Sequence, residues 1–302
     1  MKNVEKSHVE DDSSSFDPLP DDILHQILNK LIDLKILCSC KLVSKRFFRI
    51  ITKVDTISLI TKHTSFNPFL STIQSLRKFG GLKSLCIEIP PPREYPFLFK
   101  WKIKFGNKLD SFICLLPNTI YDNQEVYVNA NGGKLEEEEE AMELRGRKHC
   151  VAVSCLMTAM TRLLMLLCSI KNIPLLETVS IMDCDKRWRV SASEVKVTEM
   201  RNDLTSPSES SYMRLEFGCR VSRCYVPMLE LPVSGYVMKG VTLFLFERDD
   251  LPESEFDIFR KTVDADFEDK KEAAYCEALM EIFKNHMGRI ERLNHLTTGV
   301  DF

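Results

Sequence analysis

FDPLPDDILHQILNKLIDLKILCSCKLVSKRFFRII, residues 16–51, is the stretch from which the rest of the chain is read. Pro20 suits the first turn of a helix, where its missing N–H costs nothing, and Asp21 and Asp22 place negative charge at the positive N-terminal end. Ile23, Leu24, Ile27, Leu28 and Leu31 then recur at helical spacing. Asp33 can cap a second helix with Leu34, Leu37, Cys38 and Leu42 on its apolar face, and Phe47, Phe48, Ile50 and Ile51 supply a third. Three short helices within residues 16–56 are too small a unit to enclose so many large side chains. Either a partner or the rest of the chain must cover them.

The string Leu19-Pro20-Asp21-Asp22-Ile23-Leu24, the following Ile27-Leu28 and Leu31, then Asp33-Leu34 and Leu42-Val43-Ser44-Lys45-Arg46-Phe47 resemble an F-box. This is the helical module that docks onto the Skp-type adaptor of cullin-RING (SCF) ubiquitin ligases. The Leu-Pro-Asp opening is common by itself; its order with the later block near the N-terminus is what makes the resemblance specific. The competing reading is a helical hairpin of an ordinary core. The resemblance implies docking through Leu19, Pro20, Ile23, Ile27, Leu31, Leu34, Val43 and Phe47, with Lys45 and Arg46 near the rim, where charge assists approach. It further implies a non-catalytic substrate receptor in the nucleus or cytoplasm. Such a receptor needs no cofactor and reaches cullin and RING subunits through the adaptor.

Outward from this segment, residues 1–15 are polar and read as a disordered tail. After Thr52, Leu82-Lys-Ser-Leu85-Cys-Ile87-Glu-Ile89 alternates like a half-buried strand. Its opening returns at Leu109-Asp-Ser-Phe112 and, with the longer alternation, at Leu176-Glu-Thr-Val179-Ser-Ile181. The first two copies start 27 residues apart and the third 67 later. Tyr95–Phe105 reads as a short crossing helix and Cys150–Ile170 as a longer one, so strands and helices alternate as in a parallel sheet. Residues 121–146, with Asn131-Gly132-Gly133 and the glutamates Glu136 to Glu140, read as a solvated acidic insertion loop. Past Pro207 the pattern turns to strands: Met213, Leu215 and Phe217 alternate, and Cys224–Leu231 is joined to Tyr236–Phe246 by a hairpin through Pro232–Gly235. Residues 266–296 read as a long amphipathic helix capped by Asp266, with Leu279, Ile282, Phe283, Met287, Ile290 and Leu293 on one face.

The fold expected is α/β. A three-helix F-box is followed, over 57–302, by an irregular leucine-rich-repeat-like strand-helix domain ending in a β-hairpin and a long C-terminal helix. Phe99–Leu109, Pro227–Pro232 and Met238–Leu243, with Ile73–Pro90 and Leu175–Asp183, resemble a plant F-box subgroup described as auxin-upregulated. The acidic insertion departs from that group.

Composition narrows the function. The chain has 302 residues, 44% of them hydrophobic and 28% charged, enough to bury a sizeable core. A net charge of −3 from 41 basic and 44 acidic residues is too even for a nucleic-acid binder. Eleven cysteines without a C-x-x-C signal neither a disulfide framework nor a zinc site, and fit buried thiols in a reducing compartment. The acidic N-terminus lacks the order of a signal peptide. Cys150–Ile170 is long enough to span a membrane, but the central Arg162 would cost about 3 kcal/mol there. A buried helix is the preferred reading, with a membrane anchor as the alternative. No nucleophile elbow, phosphate loop or zincin motif is present, and the histidines stand far apart. His149 beside Cys150 does not make a catalytic pair, since sequence neighbours rarely face one substrate. Lys100, Lys102 and Lys104 around Trp101 read as solvated heads on packed stems. Metal and catalytic residues are expected to be none. An F-box scaffold without a target is a further alternative, and strand positions such as Cys86 with Glu88, or their neighbours, are the natural place for a target.

Overall fold

The computed structural model describes residues 16, 18–61, 66–90, 100–105, 109–122, 140–183, 189–205, 215–248 and 270–300. The expected tail, 1–15, lies outside them. Three helices follow one another as the sequence predicts: α1 (Asp21–Lys30), α2 (Leu34–Lys41) and α3 (Lys45–Ile51). Asp33 caps α2 by accepting from the Ile36 N–H at 3.0 Å, and Ser44 caps α3 by accepting from the Phe47 N–H at 3.2 Å. Each cap satisfies a donor that the first helical turn leaves open. Pro20 stands just outside α1, with Asp21 and Asp22 in its first turn.

The chain then builds two sheets. β1 (Thr56–Ile60), α4 (Phe66–Leu76) and β2 (Ser84–Ile89) form a strand-helix-strand unit, and β6 (Thr178–Asp183) pairs parallel to β2. β7 (Val190–Ala192) closes the order β1-β2-β6-β7 in the antiparallel sense. Ile57, Leu59, Leu85, Ile87, Ile89, Val179 and Ile181 are buried in one cluster with Leu24, Leu28, Leu37, Ile50 and Ile51 of the first three helices. The rest of the chain thus supplies the cover that a small three-helix unit needs. The opposite row runs Ser58, Cys86, Ser180, Ser191 from strand to strand, which fixes the register of Cys86 and Glu88. β1, α4 and α6 (Glu194–Thr205) are additions to the expected elements. The alternation of Ile57 and Leu59 and the spacing of Phe69, Ile73 and Leu76 are their sequence signals.

The second sheet is antiparallel, in the order β10-β8-β9-β4-β3, with β5 pairing β9. Its strands are β3 (Lys100–Phe105), β4 (Leu109–Leu116), β5 (Thr119–Tyr121), β8 (Leu215–Glu230), β9 (Val237–Arg248) and β10 (Glu291–Val300). Three expectations are corrected here. The Leu82 and Leu176 copies pair in register, Leu85 beside Val179, but the Leu109 copy belongs to this other sheet. Two of the three copies therefore stack in parallel and the third does not: a shared local skeleton does not choose its strand partner. The crossing helix expected over Tyr95–Phe105 is strand β3 in its described part, because Trp101, Ile103 and Phe105 alternate with lysines and the backbone pairs with β4. The C-terminal helix is shorter than 266–296. Its described part is α7 (Lys270–Asn285), followed by a 3₁₀ turn at Met287–Arg289 and then β10, with Glu291 paired to Arg223. Ile290 and Leu293 fall in helical phase with Leu279, yet the open edge of β8 captures the backbone from Glu291 onward. The hairpin forms as predicted, with Gly235 at φ 76° and Glu277 of α7 accepting from the Val233 and Ser234 N–H groups at 2.6 and 2.8 Å.

The apolar stretch Cys150–Ile170 lies within α5 (Met142–Asn172). This helix runs between the sheets, against β6 and β7 on one side and β4 and β9 on the other. Its consecutive leucines are therefore all buried, which explains its hydropathy as a core property. Arg162 is buried with them; burial lowers its pKa to about 10, with the Asp183 carboxylate acting the other way. Beyond α5, Phe112, Cys114, Val221, Phe244 and Phe246 face the helix, while Ile113, Leu115, Cys224, Leu243 and Leu245 face α7. The layers are sheet, α5, sheet, α7.

The acidic insertion is also corrected at its ends: Tyr121 ends β5, residues 142–146 start α5, and Glu140 is buried. Its carboxylate meets Lys148 Nζ at 2.8 Å, accepts from Thr242 Oγ1 at 2.7 Å and pairs with Arg223. Burial pushes this carboxyl up, but the bonds to Lys148, Thr242 and Arg223 outweigh it and hold it below the usual range.

Candidate functional site

Each of the first three helices has one apolar face too many. In α1, Leu24 and Leu28 point into the core while Ile23 and Ile27, one turn apart, are exposed. In α2, Leu37 is fully buried and Ile36 is exposed; in α3, Ile50 and Ile51 are buried and Phe48 is exposed. The α2–α3 turn presents Leu42 at 87% and Val43 at 63% exposure. Eight of the fourteen large apolar side chains exposed among the described residues fall within residues 16–48. Apolar exposure concentrated in one short segment marks an interaction surface, whereas single exposed residues do not.

The ten residues assigned from the resemblance divide into two groups. Pro20, Ile23, Ile27, Val43 and Lys45 are exposed. Leu19, Leu31, Leu34 and Phe47 are half-buried and packed against the core cluster, so they support the surface from beneath. Arg46 is half-buried. Its Nε donates to Asp21 at 2.7 Å, and its terminal nitrogens donate to the carbonyls of Leu19 and of Phe16, the latter at 3.3 Å. The guanidinium thus ties the start of α3 to the entry of α1, and the Phe16 ring meets Phe47 edge-on at 5.7 Å. Ile32, Ile36, Leu42 and Phe48 are exposed residues that the sequence reading did not assign to the docking set; for Ile36 and Phe48 the signal is an apolar residue out of phase with the buried face of its own helix. Lys41 stands 3.5 Å over the Phe79 ring and 5.6 Å from the Phe48 ring, and burial lowers its pKa. It fastens α2 to the segment leading into β2.

The His149 ring packs edge-on to Phe244 at 5.7 Å, while Cys150 is exposed. Lys100, Lys102 and Lys104 fall on β3, at one end of the second sheet's order. Among the described residues, no group of three or more His, Cys, Asp or Glu is placed to hold a metal.

A family model described as F-box-like matches residues 16–56. The chain is similar to the F-box protein AUF2 of Arabidopsis thaliana, at 24% identity over 271 residues that cover 76% of this chain and 84% of the relative. It is similar to the F-box protein AUF1 of the same plant at 23% identity over 330 residues, covering 92% of this chain and 98% of the relative. No solved structure matches.

Proposed function

We propose that this chain, an F-box protein by its F-box-like domain at residues 16–56 and its likeness to AUF1 and AUF2, is the substrate-recognition subunit of an SCF ubiquitin ligase. The observation that carries the reading is the exposed set Ile23, Ile27, Ile36, Leu42, Val43 and Phe48, held on helices whose other faces are locked into the core. Rigid apolar anchors lose little freedom when a partner covers them. The Skp-type adaptor would cover this surface and bring cullin and RING subunits with it. The domain from β1 onward would hold a target protein, with the nucleus or cytoplasm as the place of action. Because the F-box helices and the first sheet share one core, a bound target would keep a defined distance from the ligase arm. Ubiquitin transfer then gains from proximity, a bimolecular encounter becoming effectively intramolecular. The chain itself forms no bond with ubiquitin in this scheme.

The test is Ile23→Asp combined with Ile27→Asp, at positions 41% and 40% exposed, with Tm of the variant measured alongside binding. Burial of one such side chain contributes about 1.5–3 kcal/mol, so the pair should weaken adaptor binding on the order of 100-fold or more with unchanged Tm. Undiminished co-purification with a Skp-type adaptor would sink the proposal.

A further inference from the structure

The entry into α1 is held from another helix. Its N-cap, Pro20, makes no side-chain cap bond, and a proline offers neither an N–H nor a side-chain acceptor at that place. Within the segment itself, the Leu19 N–H donates to the Phe16 carbonyl at 3.1 Å. The long-range bonds come from Arg46 on α3: Nε donates to the Asp21 carboxylate at 2.7 Å, and the terminal nitrogens donate to the carbonyls of Phe16, at 3.3 Å, and of Leu19. The Phe16 ring adds an edge-on contact to Phe47, the neighbour of Arg46 in sequence.

One guanidinium therefore meets a carboxylate and two carbonyls within residues 16–21. That set suits a planar fork with five donors, whereas a lysine ammonium is a point charge on a flexible stem and cannot span all three acceptors. The Arg46 side chain is 27% exposed and that of Asp21 63%, so the ion pair by itself contributes little. The bonds to the carbonyls are what fix the path of the backbone. The residues they place are Leu19, packed on the core cluster, and Pro20, exposed, with exposed Ile23 following in the first turn of α1.

We propose that Arg46 is a positioning residue of the docking surface: its hydrogen bonds, more than its charge, order residues 16–20 in advance, so that Leu19, Pro20 and Ile23 meet the adaptor already in place. The inference rests on the adaptor reading above and assigns this residue a role within it. Backbone left free before binding has to be ordered during it, which weakens affinity about tenfold for each residue so ordered. Arg46 removes that loss beforehand, while the chain folds.

The experiment compares full-length Arg46→Lys, Arg46→Gln and Asp21→Asn chains with the unmodified one, by affinity for a purified Skp-type adaptor at low and high salt and by hydrogen exchange of the free chain. Arg46→Lys keeps the charge and loses the fork; it should bind about tenfold more weakly at both salt concentrations, as Arg46→Gln should. In the free Arg46→Lys chain, exchange at the Leu19 N–H should quicken while Leu28 and Leu37 stay protected. Asp21→Asn breaks the same clamp, so adding it to Arg46→Lys should weaken binding by no more than about a further twofold. Unchanged affinity in Arg46→Lys, or a loss confined to low salt, would assign Arg46 to charge and overturn the proposal. Unchanged exchange at Leu19 overturns it too, as does a loss of protection that extends to Leu28 and Leu37, which makes Arg46 a residue of general stability. The exchange measurement needs no adaptor, so it tests the clamp even where Ile23→Asp with Ile27→Asp leaves adaptor capture intact and the adaptor reading falls.

Discussion

Glu140→Gln separates the tertiary environment of this residue from its local one. In the sequence it closes a run of five glutamates, where one charge fewer would be harmless. In the structure its side chain is 1% exposed and holds Lys148, Arg223 and Thr242 together. The amide keeps one acceptor oxygen and turns an NH₂ toward buried cations, leaving Lys148 and Arg223 without their shared counter-charge. Removing one partner of a buried pair costs about 3–5 kcal/mol. Lys148 retains the Gly240 carbonyl at 2.7 Å and Thr242 Oγ1 at 3.0 Å, which sets the expectation at the low end, about 3 kcal/mol. For a chain of this length that is a fall in Tm of about 6 °C. Thermal unfolding followed by circular dichroism measures it, with Glu143→Gln as control: Glu143 is exposed and among the described residues pairs with Arg147 one turn away, so its loss should leave Tm in place. Adding Lys148→Met to Glu140→Gln should recover part of the loss, since one unpaired cation disappears. The lowered pKa of Glu140 adds a sign. Its stabilisation is present above the ordinary carboxyl value of 4.5 and is lost as pH falls through the lower folded value, so the variant should lack that part of the acid transition. A Glu140→Gln protein within about 1 °C of wild type would refute the reasoning and return Glu140 to a solvated loop.

Gly240→Ala tests the strand that carries Lys148's acceptor. Gly240 has φ +59°, and a Cβ would stand 2.7 Å from Asn118 Cγ, so we expect a loss of about 1–2 kcal/mol; an unchanged urea midpoint would contradict it. Burial raises the thiols of Cys168 and Cys224 to about 11 from an ordinary 9.0. Their contribution is complete below pH 9 and is lost as pH rises from 9 towards 11, because the unfolded chain ionises first. Under reducing conditions Tm should fall between pH 9 and 10.5, and a flat profile there would exclude the effect.

The two groups within the F-box surface show what a pattern can and cannot tell. The helical period placed Leu24 and Ile23 on one amphipathic helix, and the cap Asp33 was readable from its type and position. Which of two neighbouring apolar residues turns inward depends on the rest of the core that the first three helices join, which the first sheet and its helices supply. The partners of Arg46, the Asp21 carboxylate and the carbonyls of Phe16 and Leu19, lie 25 to 30 residues before it, and nothing around position 46 in the sequence signals them.

By itself the sequence determined the first three helices, the strands around Leu85, Phe112 and Val179, the β8–β9 hairpin and the existence of a long apolar helix. Each of these rests on interactions within a few residues, which period, cap and turn chemistry record directly. Tertiary structure alone decided that the Leu109 strand leaves the Leu82 and Leu176 pair, that residues after Asn285 join β8, that a glutamate from an acidic run is buried, and that α5 is covered by sheets on both sides. Strand partners and counter-charges come from distant segments, Arg223 lying 83 residues beyond Glu140, and no local pattern encodes a neighbour that only the folded chain brings near.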